Sequence, residues 1–306
     1  GYLKRKLMAD SLVAGEYFKL CGLSFLDSAS IIYTAAPNKI IKYSFLSNSF
    51  QFDSIADFLF INSHLNALAM NTRPGICVAS ILDKKYLFNS KALYIKNNFF
   101  IGYNFKTKNY INFGNMEKNN LHLQQAKKDI SLGLFDPKIC FNNSNKCYYA
   151  VYPCDPHIYK YDSSFKFIKE INAPLEYLKI NGFKISLFNS ASKKSSNVIQ
   201  YVFATNSKIG SIFSNNNYTF VIYCGAIDSA EFDQNSFLMN EKIKSGQLRI
   251  KNYLSVFLNE KKAYKDYLLE SKYSYIALAP SPKRIYIKKF NIDKQDNVFY
   301  ITYIKP

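Results

Sequence analysis

The chain contains no tryptophan, three histidines and only 11 glycines in 306 residues. With glycine this sparse there is no phosphate-cradling loop: neither the P-loop pattern nor G-x-G-x-x-G occurs, and G-x-S-x-G, H-E-x-x-H and kinase signatures are missing as well. These absences remove particular motifs; they do not remove enzymes as a class. Histidines His64, His122 and His157 lie far apart, so a metal centre built on them would need long-range convergence or carboxylate help. The six cysteines (Cys21, Cys77, Cys140, Cys147, Cys154, Cys224) form no C-x-x-C pair, which argues against structural zinc and leaves buried thiols as the default. No metal, cofactor or catalytic residue is predicted. No stretch of about 18 consecutive apolar residues exists, so no bilayer-spanning helix is expected. The opening Gly1-Tyr2-Leu3-Lys4-Arg5-Lys6 lacks the apolar core and small-residue cleavage site of a signal peptide, which places any export signal or lipid-anchor cysteine upstream of Tyr2.

What the chain does have is apolar and basic. Hydrophobic residues make up 48%, aromatics 17% and charged residues 20%, ample for a large core and too apolar for disorder. The formal charge of +18 suggests phosphate polymers, yet lysines recur singly or in pairs such as Lys84-Lys85, Lys193-Lys194 and Lys288-Lys289 along the whole length. Dispersed charge of this kind reads as a solvated surface, so no nucleic-acid partner is expected.

Alternation of apolar and polar residues dominates from Ser24 onward, rich in Tyr, Phe, Ile and Val and broken by Asn, Ser, Asp or Lys turns; this is the strand period. Met116 to Leu132 is a possible helix. Leu254 to Leu269 reads as strand and turn in preference to helix. Phe141 and Lys146 flank a possible turn at 142–145, which would set Cys140 opposite Cys147 in a hairpin and permit a cross-strand disulfide.

A strand, polar loop, strand pattern repeats at Ile31–Ser44, Ala92–Asn104 and Ala150–Asp162, and more loosely at Tyr275–Ile287. Repeats of several short strands each predict a β-propeller with four-stranded antiparallel blades, six preferred and seven possible, as one domain over 1–306. The aligned loops carry Asn38 and Lys39, Asn97 and Asn98, Asp155 and His157, and Lys283 and Arg284. In a propeller these would ring one end of the channel, where loops vary without cost to the core, and they are the predicted ligand-binding residues. Two prolines stiffen the loop of Asp155 and His157. Glu231 and Asp233, with Asp228, are a possible carboxylate pair for glycoside chemistry, though their context reads as a solvated loop.

Several of these segments also carry a family resemblance. Gln124-Gln125-Ala126 through Gly133, Phe135-Asp136-Pro137-Lys138 and Cys147–Val151 running to Ile158-Tyr159-Lys160-Tyr161-Asp162 resemble a blade of the TolB-like six-bladed propeller lipoproteins of the Bacteroidetes. A second match is Tyr253–Phe257 with Asp266–Glu270, Ile276-Ala277 and Arg284-Ile285-Tyr286. The resemblance implies a propeller, an exported periplasmic or outer-membrane location and a lipid anchor upstream, and it carries over no catalytic residue. The expected function is non-catalytic binding or scaffolding by a monomer, with a protein, peptide or glycan at the rim. A glycan lyase or hydrolase on the same fold is the alternative, which needs two carboxylates near a histidine in the channel; an anionic-polymer binder is the second alternative.

Overall fold

The computed structural model describes residues 19–60, 76–132, 136–184, 201–232 and 250–303, with short breaks inside these spans; for 19–36 (Ser30 apart) and 275–303 it describes the backbone alone. The first sheet is β1 (Lys19–Asp27), β2 (Ser30–Ala36), β3 (Lys39–Ser44) and β4 (Ser49–Ser54). The second is β5 (Phe58–Phe60), β6 (Ile76–Asp83), β7 (Phe100–Asn104) and β8 (Tyr110–Phe113), with helix α1 (Ser90–Lys96) between β6 and β7. Helix α2 (Leu121–Lys127) and the short β9 (Ile130–Ser131) lead into the third sheet, β10 (Lys138–Asn142), β11 (Cys147–Val151), β12 (His157–Tyr161) and β13 (Phe167–Asn172). After β14 (Phe183–Lys184), which pairs with β9, the fourth sheet comprises β15 (Lys208–Asn215), β16 (Tyr218–Cys224), β17 (Asn252–Leu258) and β18 (Lys261–Lys262), with β19 (Tyr267–Leu269) also on β17. A last sheet holds β20 (Tyr275–Ser281), β21 (Arg284–Asn291) and β22 (Asp296–Tyr303). Every pairing among the described residues is antiparallel, and apart from β19 on β17 and β14 on β9 the strands pair in chain order within their sheets.

Side-chain alternation explains how the sheets stack. Along β11, Tyr148 and Ala150 point one way and, with Tyr152 just beyond the strand, join Val78, Phe100 and Phe113 of the second sheet in one core. Their neighbours Cys147, Tyr149 and Val151 point the other way and join Ile209, Ile212 and Val221 of the fourth. The second sheet is likewise covered twice, since Cys77, Ala79 and Ile101 pack with Ile40 of the first. A strand buried on both faces is apolar throughout, which is why Cys147–Val151 has no polar residue facing water. Consecutive sheets also meet through β1 with β6, β6 with β10, β10 with β15, and β15 with β20. Sheets packed face to face in chain order, the second and third covered on both sides, form a β-propeller. Five sheets of three or more strands follow one another among the described residues.

Three expectations are corrected. Ala92–Ile95 is not a strand: it lies in α1, which packs on α2 with Tyr94 inside and Ile95 exposed, because the chain here leaves the sheet between β6 and β7 and finds a helix to bury its apolar face against. Cys140 does not face Cys147. Lys146 turns at φ +55° and the Asn142 side chain accepts from the Ser144 and Asn145 amides, so Asn142 pairs with Cys147 and Cys140 with Tyr149. Both thiols are free and buried, and burial pushes Cys140 well above the ordinary thiol range. The helical reading of 116–132 holds only for Leu121–Lys127, where Asn120 caps the helix by accepting from the His122 and Leu123 amides. The strand-and-turn reading of 254–269 is what the fourth sheet shows.

The third and fourth sheets are latched where their tight turns meet. Asn142 donates to Ser214 Oγ and to the Asn216 carbonyl at 2.8 and 2.7 Å. Glu260, in the β17–β18 turn at φ +64°, accepts from Lys160 Nζ at 2.5 Å and Tyr149 OH at 2.9 Å, while its other oxygen meets Lys169 Nζ at 2.5 Å. Burial alone would raise this carboxyl, but the bonds from Lys160, Lys169 and Tyr149 outweigh it and hold its pKa at about 2. A depressed carboxylate contributes stability above its unfolded value of 4.5 and loses it as pH falls towards 2. Glu260→Gln is therefore expected to lower Tm at pH 7 by about 3 °C, the equivalent of about 1 kcal/mol for a partly exposed pair. The gap between wild type and variant should close between pH 4.5 and 2 in a melting series; a gap independent of pH would contradict the latch.

Candidate functional site

In an up-and-down antiparallel sheet, alternate connections emerge at the same end. Among the described residues, connections from first to second and from third to fourth strand are tight turns: residues 45–47, 105–109, 143–146, 162–166, 216–217 and 259–260. Segment 61–75, of the same parity, lies outside the described residues. Connections of the other parity, from second to third strand and from one sheet to the next, carry α1, α2, β9, β14 and the loops 152–156, 173–182 and 225–232. Elaboration is thus concentrated at one end, the end expected to bear loops that vary.

Asp155 organises this end. It is fully buried, in the β11–β12 connection. Its Oδ1 accepts from His157 Nδ1 at 2.9 Å and from the Leu121 amide at 3.2 Å; its Oδ2 accepts from Tyr159 OH at 2.6 Å and Asn120 Nδ2 at 3.0 Å. One carboxylate with all its lone-pair sites filled ties the loop to the N-terminus of α2. His122 of α2 bonds the Pro153 carbonyl and stacks on Tyr94 of α1, whose hydroxyl meets Ser131 Oγ of β9 at 2.8 Å. Burial lowers the pKa of His122. His157, with 22% of its side chain exposed, has its pKa raised by the hydrogen bond to Asp155.

The neighbouring loop 173–182 is pinned as firmly. The Ala173 amide bonds the Pro156 carbonyl at 2.8 Å, Ser207 N–H reaches the Lys179 carbonyl at 2.9 Å, and Ser207 Oγ accepts from the Lys179 amide and donates to the Tyr177 carbonyl. Asn206 Nδ2 bridges the carbonyls of Leu132 and Asn181, both at 2.9 Å. Cys154 sits at φ +63° with its Sγ 3.2 Å from the Ser207 carbonyl, and burial pushes its thiol up to about 12.

The predicted rim residues divide. Asn38 lies in the β2–β3 turn and Lys39 opens β3, both half-buried, with the Asn38 carbonyl accepting from the Ile55 amide at 3.0 Å. Asn97 follows α1 and is buried, its Oδ1 accepting from the Asp83 amide at 3.0 Å, whereas Asn98 is half-buried. These residues share a second-to-third connection with Asp155 and His157. Asn97 and Asp155 were expected as ligand-binding residues of the rim; both are buried internal pegs, because each satisfies a backbone donor that the loops would otherwise bury unpaired. Lys283 lies outside the described residues, and Arg284 opens β21, opposite Ser281 and Tyr303. Of the other candidates, His64 and Asp233 lie outside the described residues, and Asp228 with Glu231 forms a local turn. Among the described residues no group of three or more His, Cys, Asp or Glu is placed to hold a metal ion, and no helix is long and apolar enough to cross a membrane.

The sequence reading missed Asn120, Tyr159, Asn206, Ser207 and Tyr177. Only Asn120 left a signal, an Asn ahead of a short amphipathic turn.

No protein-family model matches the chain, and no curated protein does. Solved structures do. A member of the DUF4221 family from Bacteroides vulgatus aligns over 93% of this chain and 79% of its own at 10% identity, with a TM-score of 0.60. The β-propeller domain of the Trilobed protease from Pyrococcus furiosus aligns over 95% and 71% at 9% identity, TM-score 0.45, and BamB from Moraxella catarrhalis over 92% and 58% at 8% identity, TM-score 0.39. At 10% identity the likeness to the DUF4221 structure is one of fold, and the stacked antiparallel sheets give this chain the architecture of a β-propeller.

Proposed function

We propose that the chain is a non-catalytic binding propeller of the bacterial cell envelope, engaging its ligand with the elaborated loop end. The supporting observation is the asymmetry of the connections: short turns at one end, and at the other helices and loops fixed by buried polar residues such as Asp155, Asn206 and Ser207. A surface preorganised in this way loses little entropy on binding. Its partly exposed side chains, His157 among them, carry less of the structural duty that falls to Asp155 and Asn97.

The test uses the whole chain against arrays of oligosaccharides and peptides. A variant with Asn38→Ala, Lys39→Ala, Asn98→Ala and His157→Ala is expected to lose at least about tenfold in affinity for whatever the wild type binds. Its Tm should fall by no more than about 5–10 °C, because the three half-buried loop substitutions are worth about 0.5 kcal/mol each and His157→Ala about 1 kcal/mol. A control with Lys106→Ala and Thr107→Ala, in the β7–β8 turn at the other end, should bind as wild type. Equal loss in the control, or none in the quadruple variant, would contradict the reading.

A further inference from the structure

Tyr177 stands out at the elaborated end. Its residue is 48% exposed although its loop is among the most firmly held parts of the structure. The Tyr177 amide donates to Tyr223 OH at 3.2 Å, its carbonyl accepts from Ser207 Oγ at 3.2 Å, and the adjacent Glu176 amide donates to Asp266 Oδ2 at 2.8 Å. One face of its ring is covered: Tyr253 lies parallel at 4.3 Å between centroids and 14° between planes, and Tyr223 continues the stack behind Tyr253 at 5.3 Å. The phenol oxygen has no hydrogen-bond partner among the described residues. The outer face of a rigidly mounted aromatic ring is therefore turned to solvent, at the end of the propeller where the loops gather.

We infer that Tyr177 is a stacking platform for the apolar face of a sugar ring. This rests on the reading of the loop end as the binding surface and adds a contact residue and a ligand class to it. The π face carries negative potential and attracts the polarised C–H groups that a pyranose presents on one side. Its surroundings select among the ligands that stack on aromatics. Glu176 precedes Tyr177 in the chain with 35% of its side chain exposed, and its amide donates to Asp266 Oδ2, so a phosphate-bearing nucleotide would bring its charge towards carboxylates. A cationic side chain from another protein would approach a molecule of net charge +18. A sugar avoids both penalties. Its hydroxyls also suit a margin that offers a partly exposed carboxylate, Glu176, while the Lys262 ammonium beside it is held by the Pro174 carbonyl, Glu176 and Asp266.

The ring was fixed in advance of any ligand, so its loss can be separated from loss of fold. Saturation-transfer NMR on the full chain would use gluco-, manno-, xylo- and chito-hexasaccharides, with an oligothymidylate as the nucleic-acid arm. At least one hexasaccharide is expected to bind with its ring protons saturated, and Tyr177→Ala should weaken it about tenfold or more. Tyr177→Phe, which keeps the π face, should stay within about twofold. Tyr177→Leu, which keeps bulk over Tyr253 without a π face, should behave as the alanine variant and guards against a folding artefact. Absence of hexasaccharide binding, or equal binding by Tyr177→Leu, overturns the inference, and so does a Tyr177-dependent response to oligothymidylate alone. Binding that is lost in the quadruple loop variant but indifferent to Tyr177 overturns the platform while leaving the loop-end reading intact; binding indifferent to both overturns the two together.

Discussion

Asp155→Ala is expected to lower stability by about 3–5 kcal/mol, the range for stripping one partner from a buried charged network, and Tm by about 10 °C. The substitution deletes the shared acceptor of four donors: His157 Nδ1, the Leu121 amide, Tyr159 OH and Asn120 Nδ2. Tyr159 is fully buried and Asn120 is too, so neither can turn to water, and each unmet donor adds its desolvation cost. His157→Ala should cost far less, about 1 kcal/mol, since that ring is partly solvated. The pH dependence has a definite sign. His157 has its pKa raised in the folded state by the bond to Asp155, so the pair adds most stability below the unfolded histidine value of 6.5 and loses it as pH rises through the raised folded value. Urea titrations of wild type and His157→Gln at pH 5.5 and pH 9 should therefore differ more at the lower pH. A fall of less than 2 °C for Asp155→Ala would mean that the loop is held by something other than this carboxylate.

Asp155 also marks where the sequence stops being readable. Turn chemistry was legible: Pro153-Cys154-Asp155-Pro156 does join two strands, and the alternation in Tyr148–Val151 and Ile158–Tyr161 did announce a sheet. What alternation could not report is that both faces of β11 are buried, because Tyr, Cys and Val suit either neighbour and the pattern shows period two without saying what lies on each side. Nor could it show that an aspartate flanked by prolines points inward, since a buried carboxylate and a solvated turn residue look alike until Asn120 and Tyr159 converge on it. Asn97 shows the same limit. The repeat placed it in a loop, which is right, but the preceding Ala92–Ile95 takes up a helix in response to α2, a contact made across the fold. Cys140 and Cys147 failed through register: two residues of slip, caused by the left-handed Lys146 and the side-chain bonds of Asn142, decide which pair faces which. Tyr177 had no signal at all, one tyrosine among 25, because its distinction lies in the Tyr253 ring beneath it.

Tyr152→Ala is expected to match or exceed the loss from Asp155→Ala, at about 3–5 kcal/mol, because it opens a cavity in the core shared by the second and third sheets. Tyr152 is fully buried, with Phe99, Phe100 and Tyr159 around it at centroid distances of 5.6, 6.1 and 5.3 Å. Its hydroxyl donates to the Gly114 carbonyl at 2.7 Å. Gly114 in turn adopts φ +79°, and a Cβ there would stand 2.3 Å from Phe100 Cδ2, so the carbonyl is held where only glycine lets the chain pass. The ring and its hydroxyl can be weighed separately. Tyr152→Phe keeps the packing and removes one donor, which should cost about 1 kcal/mol because the Gly114 carbonyl keeps only the Phe99 amide at 3.4 Å, while Tyr152→Ala removes both. Denaturant unfolding of the two variants should show that ordering with unchanged slopes. The cavity should also loosen the platform beneath the loop end, since Tyr152 precedes Pro153, whose carbonyl holds His122; amide exchange at Leu121 to Leu123 should then quicken in Tyr152→Ala and stay slow in Tyr152→Phe. Equal destabilisation of both variants would assign the energy to the Gly114 bond and not to the core between the second and third sheets.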